Sequence, residues 1–268
     1  LDGGSQRVLP LLYRKLQRLG IDHPARKTLD SLYRQTWANN QLALHHLEEL
    51  VSECERNGIK TLVLKGMALA LRYYQDMGTR PMADYDLLVP AEQTDAAMAL
   101  MTSLGWNAVK PLHRLTSDRR APFHGMGFEH PGKKLSCDLH WHITHIHLSP
   151  RYDAPMWDAA VPLAVGKAQS RALCPEHQLI HLFFNGCVSE EGINMRWLVD
   201  ALVVLKKESA IDWNRLVAQC QLLEFVQPVA AMLEYLRTTW NVAVPVGTIE
   251  TLARTPVSYR MRKVFECL

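Results

Sequence analysis

Leu62-Val63-Leu64-Lys65-Gly66 and Asp84-Tyr85-Asp86-Leu87-Leu88-Val89 decide how this chain is read. Both are short apolar runs with strand character. The Ala- and Leu-rich stretch between them, Met67 to about Met77, predicts a helix starting at Gly66. Side chains alternate faces along a strand, so Asp84 and Asp86 project together while Tyr85, Leu87 and Val89 enter a core. Two parallel carboxylates at the start of an apolar strand repel each other, and something cationic must offset them. A divalent metal is the first candidate.

Upstream, apolar residues recur at helical spacing from Ser5 to about Gly20 and again from about Ala25 to Asn57, with Gly58 where a C-terminal cap belongs. Ile59 to Leu64 then reads as a buried strand. Gly78-Thr79-Arg80-Pro81 breaks the helix that follows, because Pro81 cannot continue it and biases Arg80 towards extended backbone. Downstream, Ala91 to Leu104 predicts a helix, and Trp106 to Val109 and His124 to His130 predict strands. The stretch from Lys110 to Pro122 is polar and basic and reads as a loop.

Leu135 to Ile143 separates cleanly into two sets. Leu135, Cys137, Leu139, Trp141 and Ile143 are apolar; Ser136, Asp138, His140 and His142 are polar. Such alternation predicts a strand with one buried and one open face, and it aims Asp138, His140 and His142 at the same open side. A short strand is expected around Val161 to Val165. Beyond Pro175 only helices are expected: Glu176 to Cys187, Met195 to Lys207, Trp213 to Leu222, Val226 to Trp240, and two shorter ones near Ile249 and Met261.

With 268 residues, 48% of them hydrophobic and 21% charged, the chain can bury a sizeable core in one large domain or two to three small ones. A net charge of +3 does not argue for nucleic acid, although Arg114, Arg119 and Arg120 permit RNA. Cys54, Cys137, Cys174, Cys187, Cys220 and Cys267 show no C-x-x-C spacing, which predicts reduced thiols in a cytoplasmic protein. No apolar run approaches the roughly 18 residues needed to cross a bilayer. Leu1 replaces an initiator Met and no signal pattern follows it, so the expectation is a trimmed chain with residues beyond both ends. His140, His142, His145 and His147 look like a transition-metal cluster. No Glu or Cys stands at zinc-ligand spacing, however, and a His140 lining the cleft is the better expectation.

Taken together, Leu64-Lys65-Gly66, Arg80-Pro81-Met82-Ala83-Asp84-Tyr85-Asp86-Leu87-Leu88-Val89 and Asp138-Leu139-His140-Trp141 resemble the polymerase-beta-like nucleotidyltransferase superfamily. The nearest likeness is to an uncharacterised bacterial family with Leu-Lys-Gly before the helix. A weaker match continues through His181 and Arg196-Trp197-Leu198-Val199-Asp200. Most of the superfamily reaches the helix through Gly-Ser or Gly-Gly; here Lys65 stands beside Gly66, and Asp84 follows Gly66 by 18 residues.

The resemblance implies an α+β fold: a mixed-sheet nucleotidyltransferase core at residues 59–170, after an N-terminal helical extension at 1–58 and before a C-terminal helical domain at 171–268. It implies Mg²⁺-dependent transfer of a nucleoside monophosphate from a nucleoside triphosphate to a hydroxyl. The acceptor is left open among small molecules, peptides or proteins, and RNA. Asp84, Asp86 and Asp138 would hold a two-metal site, and Asp138 would help deprotonate the acceptor. Gly66 would let backbone approach the phosphates, and Lys65 would contact phosphate or pair with an acid. Arg80 has the same two options, His140 would line the nucleotide cleft, and Arg196 would reach the triphosphate or pair with Asp200. The alternative is a binding or regulatory module, or a toxin–antitoxin component, that keeps the fold with altered catalysis.

Overall fold

Helical periodicity in the first 58 residues becomes two helices, α1 (Leu9–Arg18) and α2 (Arg26–Arg56). Each is followed by a glycine at positive φ, Gly20 at 65° and Gly58 at 69°, where a side chain would be strained. The computed structural model describes residues 6–109, 123–133, 136–187 and 196–266. Arg114, Arg119, Arg120 and Leu135 therefore lie outside the described residues. The chain divides into two compact units, Leu1–Leu173 and Cys174–Leu268.

In the first unit, seven strands form one mixed sheet among the described residues. They are β1 (Leu62–Leu64), β2 (Asp84–Leu88), β3 (Asn107–Ala108), β4 (Gly125–Glu129), β5 (Ser136–His140), β6 (Val161–Val165) and β7 (Ala168–Ala172), in the spatial order β3-β4-β5-β2-β1-β7-β6. β1 runs antiparallel to β2 and parallel to β7, and β2 runs parallel to β5. One face is apolar. Val63, Tyr85, Leu87, Phe128, Cys137 and Leu139 meet Leu47, Leu50 and Val51 of α2 there, together with Met98 and Met101 of a helix between β2 and β3. Each such side chain contributes roughly 1.5–3 kcal/mol when fully buried. The opposite face receives the alternate residues, and that is where the acids go.

The chain between β1 and β2 differs from expectation. Helix α3 (Lys65–Leu69) begins one residue earlier than predicted and passes into a π turn, Ala70–Tyr74. Gln75 N–H donates to Ala70 O five residues back at 2.9 Å, and Gln75 at φ 53° ends the helix. The loop after it is anchored from α1 and α2. Asp76 accepts from Arg14 Nε at 2.9 Å and from Tyr33 Oη at 2.9 Å. Asn40 donates to Met77 O at 2.7 Å and Arg80 O at 2.9 Å.

Helix α4 (Thr94–Ser103) lies where expected, after a short 3-10 turn. Helix α5 (Pro150–Asp158), with Pro155 inside it, and strand β7 were not anticipated; β7 pairs antiparallel with the expected β6. Cys54, Cys137, Cys174 and Cys220 are buried free thiols. Among the described residues, no helix is long and apolar enough to cross a membrane.

The second unit is helical, as predicted: α6 (Pro175–Cys187), α7 (Arg196–Lys207), α8 (Trp213–Leu222), α9 (Val226–Trp240), α10 (Val246–Arg254) and α11 (Tyr259–Glu266). Glu176 in the first turn of α6 clasps the start of α8. Its carboxylate accepts from Asp212 N–H at 2.8 Å and Arg215 Nη1 at 3.3 Å. Burial raises the Glu176 carboxyl, but the Asp212 N–H, its own N–H, the Cys174 thiol and Arg215 outweigh it and hold it below its ordinary value of 4.5. With the folded value depressed, the clasp contributes fully above pH 4.5 and fades as pH falls through the folded value. Glu176→Gln is expected to lower stability by about 1–3 kcal/mol at neutral pH and to flatten this acid limb. Urea unfolding at a series of pH values measures both.

Candidate active site

The acids meet because two strands distant in sequence pair in register. Asp86 on β2 stands directly opposite Asp138 on β5, and Leu64 stands opposite Asp86 on the other side. Ligand atoms of Asp86, Asp138 and His140 lie within 4.8 Å of one another, a spacing that suits a metal ion. Asp84 starts β2 two residues earlier, half-buried and opposite Ser136. Asp86 is 1% exposed.

Lys65 follows β1 immediately, in the left-handed region at φ 43°. Its Nζ lies 2.6 Å from Asp86 Oδ1. Of the two uses open to Lys65, the structure thus displays pairing with an acid. His140 Nε2 reaches the same oxygen at 3.0 Å. An ionised carboxylate only accepts, so this Nε2 carries the proton. Burial opposes the Asp86 charge, but Lys65 and His140 outweigh it and hold the carboxyl well below the usual carboxylate range. Burial likewise opposes the Lys65 charge, and Asp86, Asp84 and Asp138 reverse that, holding the ammonium above its ordinary value.

The wall beside the acids is cut back. Strand β4 presents Gly125 opposite His140 and Gly127 opposite Asp138. A Cβ at Gly125 would meet His140 Nδ1 and Leu139 O, both at 2.8 Å; one at Gly127 would meet Asp138 Oδ1 at 3.3 Å. Gly66 has the same character, since a Cβ there would meet Arg80 Nη1 at 2.8 Å. Arg80 is 5% exposed, so its guanidinium is packed against the turn that follows β1. The ring of His124 stacks near that of His140, centroids 5.3 Å apart. Burial pushes His124 down to about 4, with the neighbouring His140 and His145 rings adding to the effect.

The donor set fits a hard divalent cation through its carboxylates. His140 fits less well as a ligand. A metal on Nε2 would move the ring proton to Nδ1, which has no hydrogen-bond partner among the described residues. Ligating imidazoles almost always have one. His140 therefore reads as a buried donor that orients Asp86.

Two expectations need correction. β5 ends at His140, because Trp141 N–H and His142 N–H both donate to His124 O, at 2.9 and 3.1 Å, and this breaks the alternation. His142 turns away to Asp153, its Nδ1 2.6 Å from Oδ2, while Ile143 N–H donates to Oδ1 at 3.0 Å. His140 and His142 thus go to different acids. Among the described residues, Asp86, Asp138 and His140 form the one group of metal-ligand spacing.

Arg196 opens α7 in the second unit. A cavity of about 840 Å³ lies beyond the other ends of β1 and β2, walled by Thr61, Pro90, Trp141 and Trp157; none of the three acids lines it. Gly125, Gly127, His124 and Asn40 were missed from sequence. The Gly-x-Gly alternation in a predicted strand was the available signal for the first two. Asn40 gave none.

No curated protein matches the sequence. An antigenic nucleotidyltransferase-like protein from Paracoccidioides brasiliensis is similar at 12% identity, TM-score 0.49, over 82% of this chain and 95% of that one. The antibiotic-resistance factor ANT(2'')-Ia is similar at 15% identity, TM-score 0.43, over 75% of this chain and 93% of that one. A crystal structure of ANT(2'')-Ia in complex with adenylyl-2''-tobramycin is similar at 14% identity, TM-score 0.42, over 74% and 98%. The sequence profile of the uncharacterised nucleotidyltransferases matches residues 4–241. That match spans most of the chain, which therefore belongs to the uncharacterised nucleotidyltransferase family.

Proposed function

We propose that this protein transfers a nucleoside monophosphate from a nucleoside triphosphate to a hydroxyl of an acceptor, with Mg²⁺ held by Asp84, Asp86 and Asp138. The observation that carries this reading is the in-register pair of Asp86 and Asp138 across parallel strands, with glycines cut into the wall beside them. Bound there, magnesium would neutralise charge on the transferred phosphoryl group and the departing pyrophosphate. Asp138, half-buried, would take the acceptor's proton. His140 fixes the Asp86 carboxylate from behind. Gly66 would allow close approach of backbone to phosphate, and Lys65 and Arg80 are the cations we assign to the triphosphate.

The test is incubation with triphosphates labelled at the α-phosphate, Mg²⁺ and a panel of hydroxyl-bearing small molecules, peptides and RNA. Label is expected to move to an acceptor with the wild type and not with Asp84→Ala/Asp86→Ala. Equal turnover by both proteins would reject the assignment.

A second reading is a non-catalytic binding module in which lysine has replaced the metal. The Lys65–Asp86 pair at 2.6 Å favours it. Triphosphate binding that is indifferent to divalent metal would support this reading over the first.

A further inference from the structure

We infer that Lys65 and a divalent cation compete for Asp86, so that metal enters the site together with a triphosphate, which takes the lysine over. The inference rests on the proposed transferase reading and specifies its order of binding.

Asp86 Oδ1 already accepts from Lys65 Nζ at 2.6 Å and His140 Nε2 at 3.0 Å. A carboxylate oxygen has two lone pairs, and here both are used. A metal that takes this oxygen must displace a donor, and one that takes Oδ2 must share the carboxylate with an ammonium 2.6 Å from Oδ1. His140 is held: it is 5% exposed, stacked near His124, and backed by Gly125 so closely that a Cβ there would touch its ring. Lys65 is the partner able to leave. Its side chain is one-third exposed, 33%, and an ammonium on a four-carbon stem can swing to a new anion.

Electrostatics gives the exchange its direction. The lysine brings one positive charge to a site where Asp84, Asp86 and Asp138 all act on it. A divalent ion answers that excess better but leaves the displaced ammonium beside the new cation. The phosphates of a triphosphate supply its replacement partner. Metal and nucleotide thus each favour the other, and that mutual effect is a coupling free energy carried by one side chain.

The experiment titrates Mn²⁺ as probe, followed by the electron paramagnetic resonance signal of the free ion, with and without a non-hydrolysable triphosphate analogue. Each titration is corrected by a protein-free blank holding the same analogue, which itself chelates the ion. Wild type is expected to bind Mn²⁺ weakly alone and about tenfold or more tightly with the analogue. Lys65→Met is expected to bind Mn²⁺ alone at least about tenfold more tightly than wild type, and the analogue is expected to add little. Lys65→Gly removes the ammonium while suiting the left-handed backbone, so a folding defect in the methionine variant leaves the question answerable. Lys65→Arg, which keeps the charge, is expected to follow wild type. If both uncharged variants bind Mn²⁺ no more tightly than wild type, competition is rejected while the metal site stands. If wild type and variants bind none, with or without the analogue, the metal reading of the site falls and the inference falls with it.

Discussion

Asp86→Asn is expected to cut label transfer from a triphosphate about a thousandfold while the protein stays folded, a loss of about 4 kcal/mol of transition-state stabilisation. Asparagine keeps the size of the side chain and an oxygen that still accepts from His140 Nε2. It loses the charge that would hold a cation. The unpaired Lys65 ammonium is not trapped, because its side chain reaches solvent. The folded state should therefore lose little, and a thermal midpoint within a few degrees of wild type is expected. Initial rates and a melting curve on the same preparation separate the two effects. Transfer at the wild-type rate would remove Asp86 from the chemistry; a collapsed melting curve would show that the charge supports the fold instead.

Asn40→Ala is expected to be the more damaging change for stability, although residue 40 lies on α2, well before the acids in sequence. Its amide donates to two carbonyls, Met77 O and Arg80 O, and Asn40 is 0% exposed. Truncation strips both acceptors where water has little access. At about 1–3 kcal/mol for each unsatisfied group, a loss of roughly 2–6 kcal/mol follows. The same change frees the segment that carries Arg80 against Gly66. On the transferase reading, the KM for triphosphate should rise more than kcat falls. The urea midpoint reads the first effect, and steady-state kinetics read the second. An unchanged midpoint would show that the two carbonyls find other donors.

What sequence made legible was local pattern. The apolar runs at β1 and β2 are short, bounded and β-rich, so they announce themselves. The alternation of Ser136, Cys137, Asp138, Leu139 and His140 gives a face assignment that the structure bears out as far as His140. What lay beyond pattern was anything set by partners distant in the chain. The register of Asp86 against Asp138 belongs to the β2–β5 pairing, which no local spacing encodes. His142 obeys the alternation on paper, but two consecutive N–H groups bonding to His124 O turn it to Asp153. Strand β7 is a five-residue run, Ala168–Ala172, whose exposed positions are polar and whose buried ones are small, so it lacks the bulk that marks a strand. Lys65 stays open between phosphate and acid on sequence because its partner depends on a left-handed backbone angle that favours glycine rather than lysine.

The π turn at Ala70–Tyr74 carries a consequence for how this segment tolerates change in length. A π turn accommodates one residue more than the α-helix would hold in its place, so it acts as an insertion already absorbed. Deleting one residue from it would restore regular winding and leave the positions beyond in nearly the same phase. Asp76 would still face Arg14 and Tyr33, and the loop leading to Asp84 would keep its moorings. The chain between Lys65 and Asp84 can thus lose a residue at this turn, whereas one lost from the loop after Asp76 would shorten the tether itself.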